Sequence, residues 1–351
     1  MKERINWIDW AKAMAVCTVV FCHLPQSQEW FYYRFLQATI ITVFFWVSGY
    51  LKGIHEDKSR DTFFNFQFSK YWHGLVLPYL LYNAIVYPYW LLRYYMLNGG
   101  MPDLFHAMRP IVGTLLLEHE NAFAEPLNGP LWYLPAILIM HIILDLCRKT
   151  KHMHGLMISI CILSFFLYGL NNKYLFMPQL TPIGVLRGIP FYYLGYVMGG
   201  VVSENRPQNH MIRSVIYFLL GILCFHWHLQ AFHAGEHWQH IILFYPVNLF
   251  FLLAVLNLSK ALNTYRSSIV QNLSIGTLVI IGLHFPIISL VNYIISHLSF
   301  SQGTICYHWY SALPTTLLIT ALLYPIIIWS KKHLPWLIGK KRTLQCFFQL
   351  S

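Results

Sequence analysis

Charge is scarce in this chain: Asp, Glu, Lys and Arg make up only 11% of its 351 residues. A soluble domain carries about 25%, so the shortage excludes an ordinary water-soluble fold. Acids are scarcer than bases, 13 against 24, which leaves a formal net charge of +11. The placement of those bases, set out below, fits membrane topology rather than nucleic acid. No linker rich in Pro, Gly and Ser and no internal repeat divides the chain, so residues 1–351 read as a single membrane-embedded domain with a short basic tail at 331–351. The 7 cysteines form no C-x-x-C and no regular spacing, so neither a disulfide framework nor a zinc site is expected. His233 and His237 have helical metal-ligand spacing, but Gly235 lies between them and the pattern H-E-x-x-H is missing; no metal is expected. A G-x-S-x-G elbow and a Cys–His arrangement are missing too, which disfavours a serine or cysteine acyl-enzyme.

What the chain has in abundance is apolar length: 57% of residues are hydrophobic and the mean hydropathy is +0.49. Ten segments are long enough to span a bilayer. They are Ile8–Leu24, Phe35–Lys52, Gly74–Leu97, Pro130–Cys147, Gly155–Leu170, Ile183–Val202, Ile212–Ala231, His240–Leu258, Asn272–His297 and Trp309–Ser330. Leu104–Leu117 is too short and is expected to be interfacial or re-entrant. The expected fold is all-α, a polytopic integral membrane protein of about ten transmembrane helices. Lys2 and Arg4 precede the first span without a small-x-small cleavage site, so that span is expected to remain uncleaved. With the N-terminus inside, eighteen of the 24 Lys and Arg residues fall on the inner side and five (Arg34, Arg93, Arg109, Lys173 and Arg187) on the outer. The positive-inside rule then makes both termini cytoplasmic.

The first span, WIDWAKAMAVCTVVFCHLP, carries Asp9, Lys12 and His23. At about 100° per residue, Lys12 and His23 lie roughly 20° apart and Asp9 and His23 roughly 40° apart. One polar seam therefore runs along an apolar helix, and ionisable groups inside a span mark function. The plainer alternative has Asp9 and Lys12 capping the helix at one interface while His23 snorkels at the other.

Other candidates follow the same logic. Lys70 and His73 are three apart beside aromatics, a spacing that converges on one anion or simply anchors an inner helix end. Trp132 and Tyr133 suit stacking on a sugar ring, or a place at the membrane interface. Arg187, within the sixth span, needs a carboxylate, a phosphate or a water-filled cavity. His284 stands mid-span before Pro286, suited to line a cavity or to bond a freed backbone carbonyl. Intramembrane Asp, Lys, Arg and His also suit a proton-coupled transporter or flippase; the absence of a repeat between the two halves argues against it.

The ordered motifs resemble the acyltransferase 3 family of membrane acyltransferases, and within it the fucose 4-O-acetylase-like branch. That family opens with W-x-D-x-[AL]-[KR] and a histidine eleven residues after the basic position, matched by Trp7, Asp9, Ala11, Lys12 and His23. Its F-F-x-x-S-G-Y-L is matched at Phe44–Leu51, its L-W-[FY]-L at Leu131–Leu134, its F-x-x-G-Y at Phe191–Tyr196 with one extra residue, and its late histidine at Gly282-Leu283-His284. Where the family usually has two arginines before P-Y, this chain has Lys70 and His73 before Pro78-Tyr79. The resemblance implies O-acyl transfer, usually acetyl, from acetyl-CoA or another acyl-CoA to a hydroxyl of an extracytoplasmic saccharide or lipid-linked glycan. It implies a multi-pass protein of the cell (inner) membrane, in contact with lipid, that modifies cell-surface polysaccharide. The histidine's role as catalytic base falls on His23, with Asp9 as the partner that keeps Lys12 charged. Lys12, Lys70, His73 and Arg187 are the expected donor-binding cations, and Trp132, Tyr133 and His284 the expected acceptor-site residues.

Overall fold

The structure, a computed structural model, describes residues 4–54, 68–118, 120–175, 177, 180–199, 209–298 and 305–340. Among these, the chain forms twelve α-helices and no strand. They are α1 (Asn6–His23), α2 (Phe31–Ile54), α3 (Phe68–Asn98), α4 (Leu104–Leu115), α5 (Tyr133–Cys147), α6 (Met153–Tyr174), α7 (Leu180–Gly199), α8 (His210–His233), α9 (His237–Ala261), α10 (Ser268–Ile275), α11 (Thr277–Leu298) and α12 (Trp309–His333). Eight are long and apolar enough to cross a membrane: α2, α3, α5 counted from Gly129, α6, α8, α9, α11 and α12. The chain is therefore a multi-pass membrane protein. α1 and α7 are of comparable length, but Asp9, Lys12 and His23 dilute the apolar character of the first and Arg187 that of the second.

α1 is the axis of the bundle. It is buried on most sides, from Trp7 through Cys22, and touches α2, α9, α10, α11 and α12. A helix shielded by neighbours can carry polar residues that lipid would reject. It ends where Pro25 forces Leu24 into an extended conformation, at ψ 139°.

α2 packs on α7 through two pairs of glycines. A Cβ at Gly49 or Gly53 would clash with the carbonyls of Tyr192 and Tyr196, and one at Gly195 or Gly199 with those of Trp46 and Tyr50. Small residues four apart on both helices let the two backbones touch, the usual membrane solution for close crossing. Thr42 Oγ1 donates to Asn248 Oδ1 at 2.5 Å, joining α2 to α9.

Three features differ from the simple span pattern. The segment expected as one span from Asn272 breaks at Gly276, at ψ 10°, into α10 and α11, and Ile327 of α12 packs where a Cβ would stand there. The expected tail is partly built into the fold: α12 runs on to His333, and the turn Pro335–Ile338 buries Leu337 and Ile338, with Tyr82 Oη donating to the Leu337 carbonyl at 2.8 Å. Finally, α4 folds back along α3. Tyr87 Oη donates to Ala107 O at 2.9 Å and Tyr79 Oη to Thr114 O at 2.6 Å. Tyr79 stands eleven residues into α3, about 16 Å along it, so the chain after α4 re-enters the helical bundle.

Candidate active site

His23 and His284 meet. The α1 seam faces α10 and α11, and His284 Nε2 lies 2.9 Å from His23 Nδ1. His284 Nδ1 lies 2.8 Å from the Ile280 carbonyl. A carbonyl only accepts, so His284 carries its proton on Nδ1 and its Nε2 is an acceptor. His23 must then donate from Nδ1, which leaves a lone pair on His23 Nε2. His284 is fully buried, whereas His23 is half-buried, so His23 is the ring a substrate can reach. Phe285 holds the pair, edge-on to His23 with centroids 4.9 Å apart and stacked on His284 at 5.0 Å.

The proline in α11 is accommodated by the re-entrant segment. Pro286 has no N–H, so the carbonyl of Gly282 has no helical donor; Asn128 Nδ2 donates to it at 2.8 Å. Asn128 is held in turn by Glu118, whose carboxylate accepts from the Asn128 N–H at 3.4 Å and from Asn83 Nδ2 at 3.0 Å. Burial pushes the Glu118 carboxyl up to about 7. The path Glu118–Asn128–Gly282 thus clamps the segment against the turn of α11 that carries His284. Neither Glu118 nor Asn128 stands out in the sequence; the only signal is the Asn-Gly-Pro that precedes a span.

Asp9 is engaged by Arg4, whose Nη2 donates to Oδ1 at 2.7 Å, and by Ser274 Oγ at 2.6 Å. It ties the start of α1 to the end of α10. Lys12 is half-buried one turn further on, within coulombic reach of Asp9, Arg4 and Lys340. No hydrogen bond or ion pair joins it to another described residue.

His73 lies within a turn of π-helix, Trp72–Val76, inside α3, and Lys70 lies two residues before it. Such turns often occur at functional sites. Lys70 is exposed, and His73 Nδ1 lies 2.8 Å from Ser69 O. Beside them is a buried polar network that single-residue reading of the sequence does not reveal. Lys52 Nζ lies 2.7 Å from Asp145 Oδ1 and donates to Tyr71 Oη at 2.8 Å; Tyr71 Oη donates to Asp145. Tyr71 stacks on His141, whose Nδ1 lies 2.6 Å from Tyr192 Oη. The network locks α2, α3, α5 and α7 together at the end of the bundle where α1 begins, which gives Lys70 and His73 a rigid footing.

The remaining candidates lie elsewhere. Tyr133 is buried, with its hydroxyl 3.0 Å from Ser48 Oγ and donating to Phe44 O at 3.1 Å. Trp132 is half-buried and packs on Gly184. Arg187 is at the His23 end of the bundle, with its guanidinium 4.8 Å from the Phe244 ring centre, away from Lys70 and His73. His233 and His237 close α8 and open α9 around Gly235 at φ 74°. Among the described residues no group of three or more His, Cys, Asp or Glu is placed to hold a metal.

The buried His284 thus fixes the tautomer of the half-buried His23. A family model described as an acyltransferase domain, acyltransferase 3, matches residues 5–330. The chain belongs to that family and is a membrane acyltransferase. Neither a curated protein nor a solved structure matches it.

Proposed function

We propose that the chain is a membrane O-acyltransferase that moves an acyl group, acetyl in the simplest case, from cytoplasmic acyl-CoA to a hydroxyl of an extracytoplasmic or lipid-linked saccharide. The observation that carries this reading is the lone pair left on His23 Nε2 by the His284–His23 hydrogen bond. As the acceptor oxygen attacks the thioester carbon, His23 Nε2 takes its proton, and the imidazolium is steadied through Nδ1–H by His284. Collapse of the tetrahedral oxyanion expels the CoA thiolate, which receives that proton from His23. The ester is formed, CoA leaves as the thiol, and His23 returns to its starting state without a covalent enzyme intermediate.

Lys12, Lys70 and His73 are the proposed holders of the CoA phosphates, with Lys340 beside Lys12 as an addition. Their end of the bundle is the basic one, and it is assigned to the cytoplasm on charge grounds. Lys12 and His23 are eleven residues apart, about 16 Å along α1. No small reacting group spans that distance, but a CoA with its phosphates inside and its pantetheine arm along the α1 seam brings the thioester to His23. The acceptor enters from the far side. About ten spans, counting α1 and α7, and two cytoplasmic termini belong to this arrangement.

Sided vesicles test it. With radiolabelled acyl-CoA enclosed on the cytoplasmic side and an impermeant glycan acceptor on the other, base-labile label is expected on the acceptor. Label that appears only when both substrates share the cytoplasmic side would refute transfer across the bilayer.

A further inference from the structure

A cavity of about 290 Å³ opens at the His23 end of the bundle, between α2, α7, α8 and α9. Arg34, Gln37, Arg187, His228 and His240 line it beside aromatic rings. Arg34 Cζ stands 5.9 Å from the Phe232 ring centre, and Arg187 Cζ stands 4.8 Å from that of Phe244 and 5.8 Å from that of Tyr168. The rings position the two guanidinium planes but leave their charge in place. His228 stacks on His240 at 4.0 Å and donates from Nδ1 to the His240 carbonyl at 2.9 Å.

Among the described residues no carboxylate pairs with Arg34 or Arg187; Glu29 and Glu236, the acids nearest this end in sequence, make no ion pair with either. Two half-buried arginines facing one cavity without a counter-charge are costly to hold in a membrane protein. Planar guanidinium groups match the oxygens of phosphate and carboxylate. The wall of the cavity also reaches the end of α1, where Gln37 Nε2 donates to the Cys22 carbonyl at 3.5 Å, one residue before His23.

We propose that this cavity is an anion site that holds a phosphate or carboxylate carried by the acceptor, so that the acceptor's hydroxyl is presented to His23. The assignment to the acceptor rests on the reading of His23 as the base; the anion site itself does not. It also separates Arg187 from the donor-binding cations at the opposite end.

Equilibrium binding to the purified full-length protein tests the proposal. Radiolabelled glucose 6-phosphate and glucuronate are the probes, with glucose as the neutral control, in nanodiscs with and without labelled phosphatidylglycerol. The acidic sugars are expected to bind and glucose is not. Arg34→Gln and Arg187→Gln should each weaken binding at least tenfold in protein that stays monodisperse, while Arg34→Lys and Arg187→Lys, which keep the charge but not the planar fork, should lose less than the Gln variants. His23→Ala should leave binding unchanged, so failure of the catalytic reading is distinguishable from failure of the site. Capture of phosphatidylglycerol in place of the acidic sugars, lost in the Gln variants, would keep the anion site but overturn its assignment to the acceptor. Absence of binding by every anion, or binding unaffected by both Gln substitutions, overturns the proposal.

Discussion

Replacing His284 with Ala removes the group 2.9 Å from His23 Nδ1 and leaves His23 and everything a substrate meets in place. An N–H deprived of its buried partner forfeits about 1–3 kcal/mol, and the same partner steadies the imidazolium as His23 takes a proton. With tenfold in rate for each 1.4 kcal/mol, kcat should fall by about 5- to 140-fold. The KM for acyl-CoA should barely change, because the lost interaction strengthens only as the proton moves. His23→Ala removes the base itself and should cost about 10²–10⁴-fold. The double variant should be no slower than His23→Ala alone, since His284 acts through His23. The assay is the initial rate of label transfer from acyl-CoA, on protein shown to be monodisperse because the cavity left at 284 also costs stability. A His284→Ala kcat within twofold of wild type, or losses that add in the double variant, would refute the tautomer argument.

Two further predictions concern groups away from the histidine pair. Lys70→Ala should raise the KM for acyl-CoA about fivefold with little change in kcat, the weight of one exposed ion pair at ~1 kcal/mol; an unchanged KM removes Lys70 from the donor site. Glu118 holds its proton more tightly in the folded state, at about 7, than its ordinary 4.5. The stabilisation from that proton is therefore complete below about 4.5 and is lost as pH rises through about 7. The wild-type unfolding temperature should fall between about pH 5 and pH 7 more steeply than that of Glu118→Gln, which is uncharged throughout, and level off above that range. Equal slopes would show that Glu118 does not titrate in this range.

Much of the bundle is legible in the sequence because apolar length and helical phase are local properties. The α1 seam is an example: periodicity puts Asp9 and His23 on one side, and both indeed face α10 and α11. Phase names a face, however, and not the neighbour across it. The pairing of His23 with His284 joins residues 261 positions apart, and the partner that satisfies the carbonyl freed by Pro286 turned out to be Asn128, in the re-entrant segment. Charge counting puts Arg34 and Arg187 on the same side, and the two line one cavity. Lys52 and Asp145 escaped notice for a related reason. Each reads as an ordinary span-end charge, and only the packing of α2 against α5 brings them to 2.7 Å.

The most direct measurement is transfer of labelled acetyl from acetyl-CoA to membrane glycan by reconstituted protein, comparing wild type with His23→Ala at equal, correctly inserted levels. The account predicts hydroxylamine-labile label on the glycan with wild type and a loss of at least about 100-fold with His23→Ala, as expected when a general base is removed. Transfer by His23→Ala at a rate near wild type would contradict it.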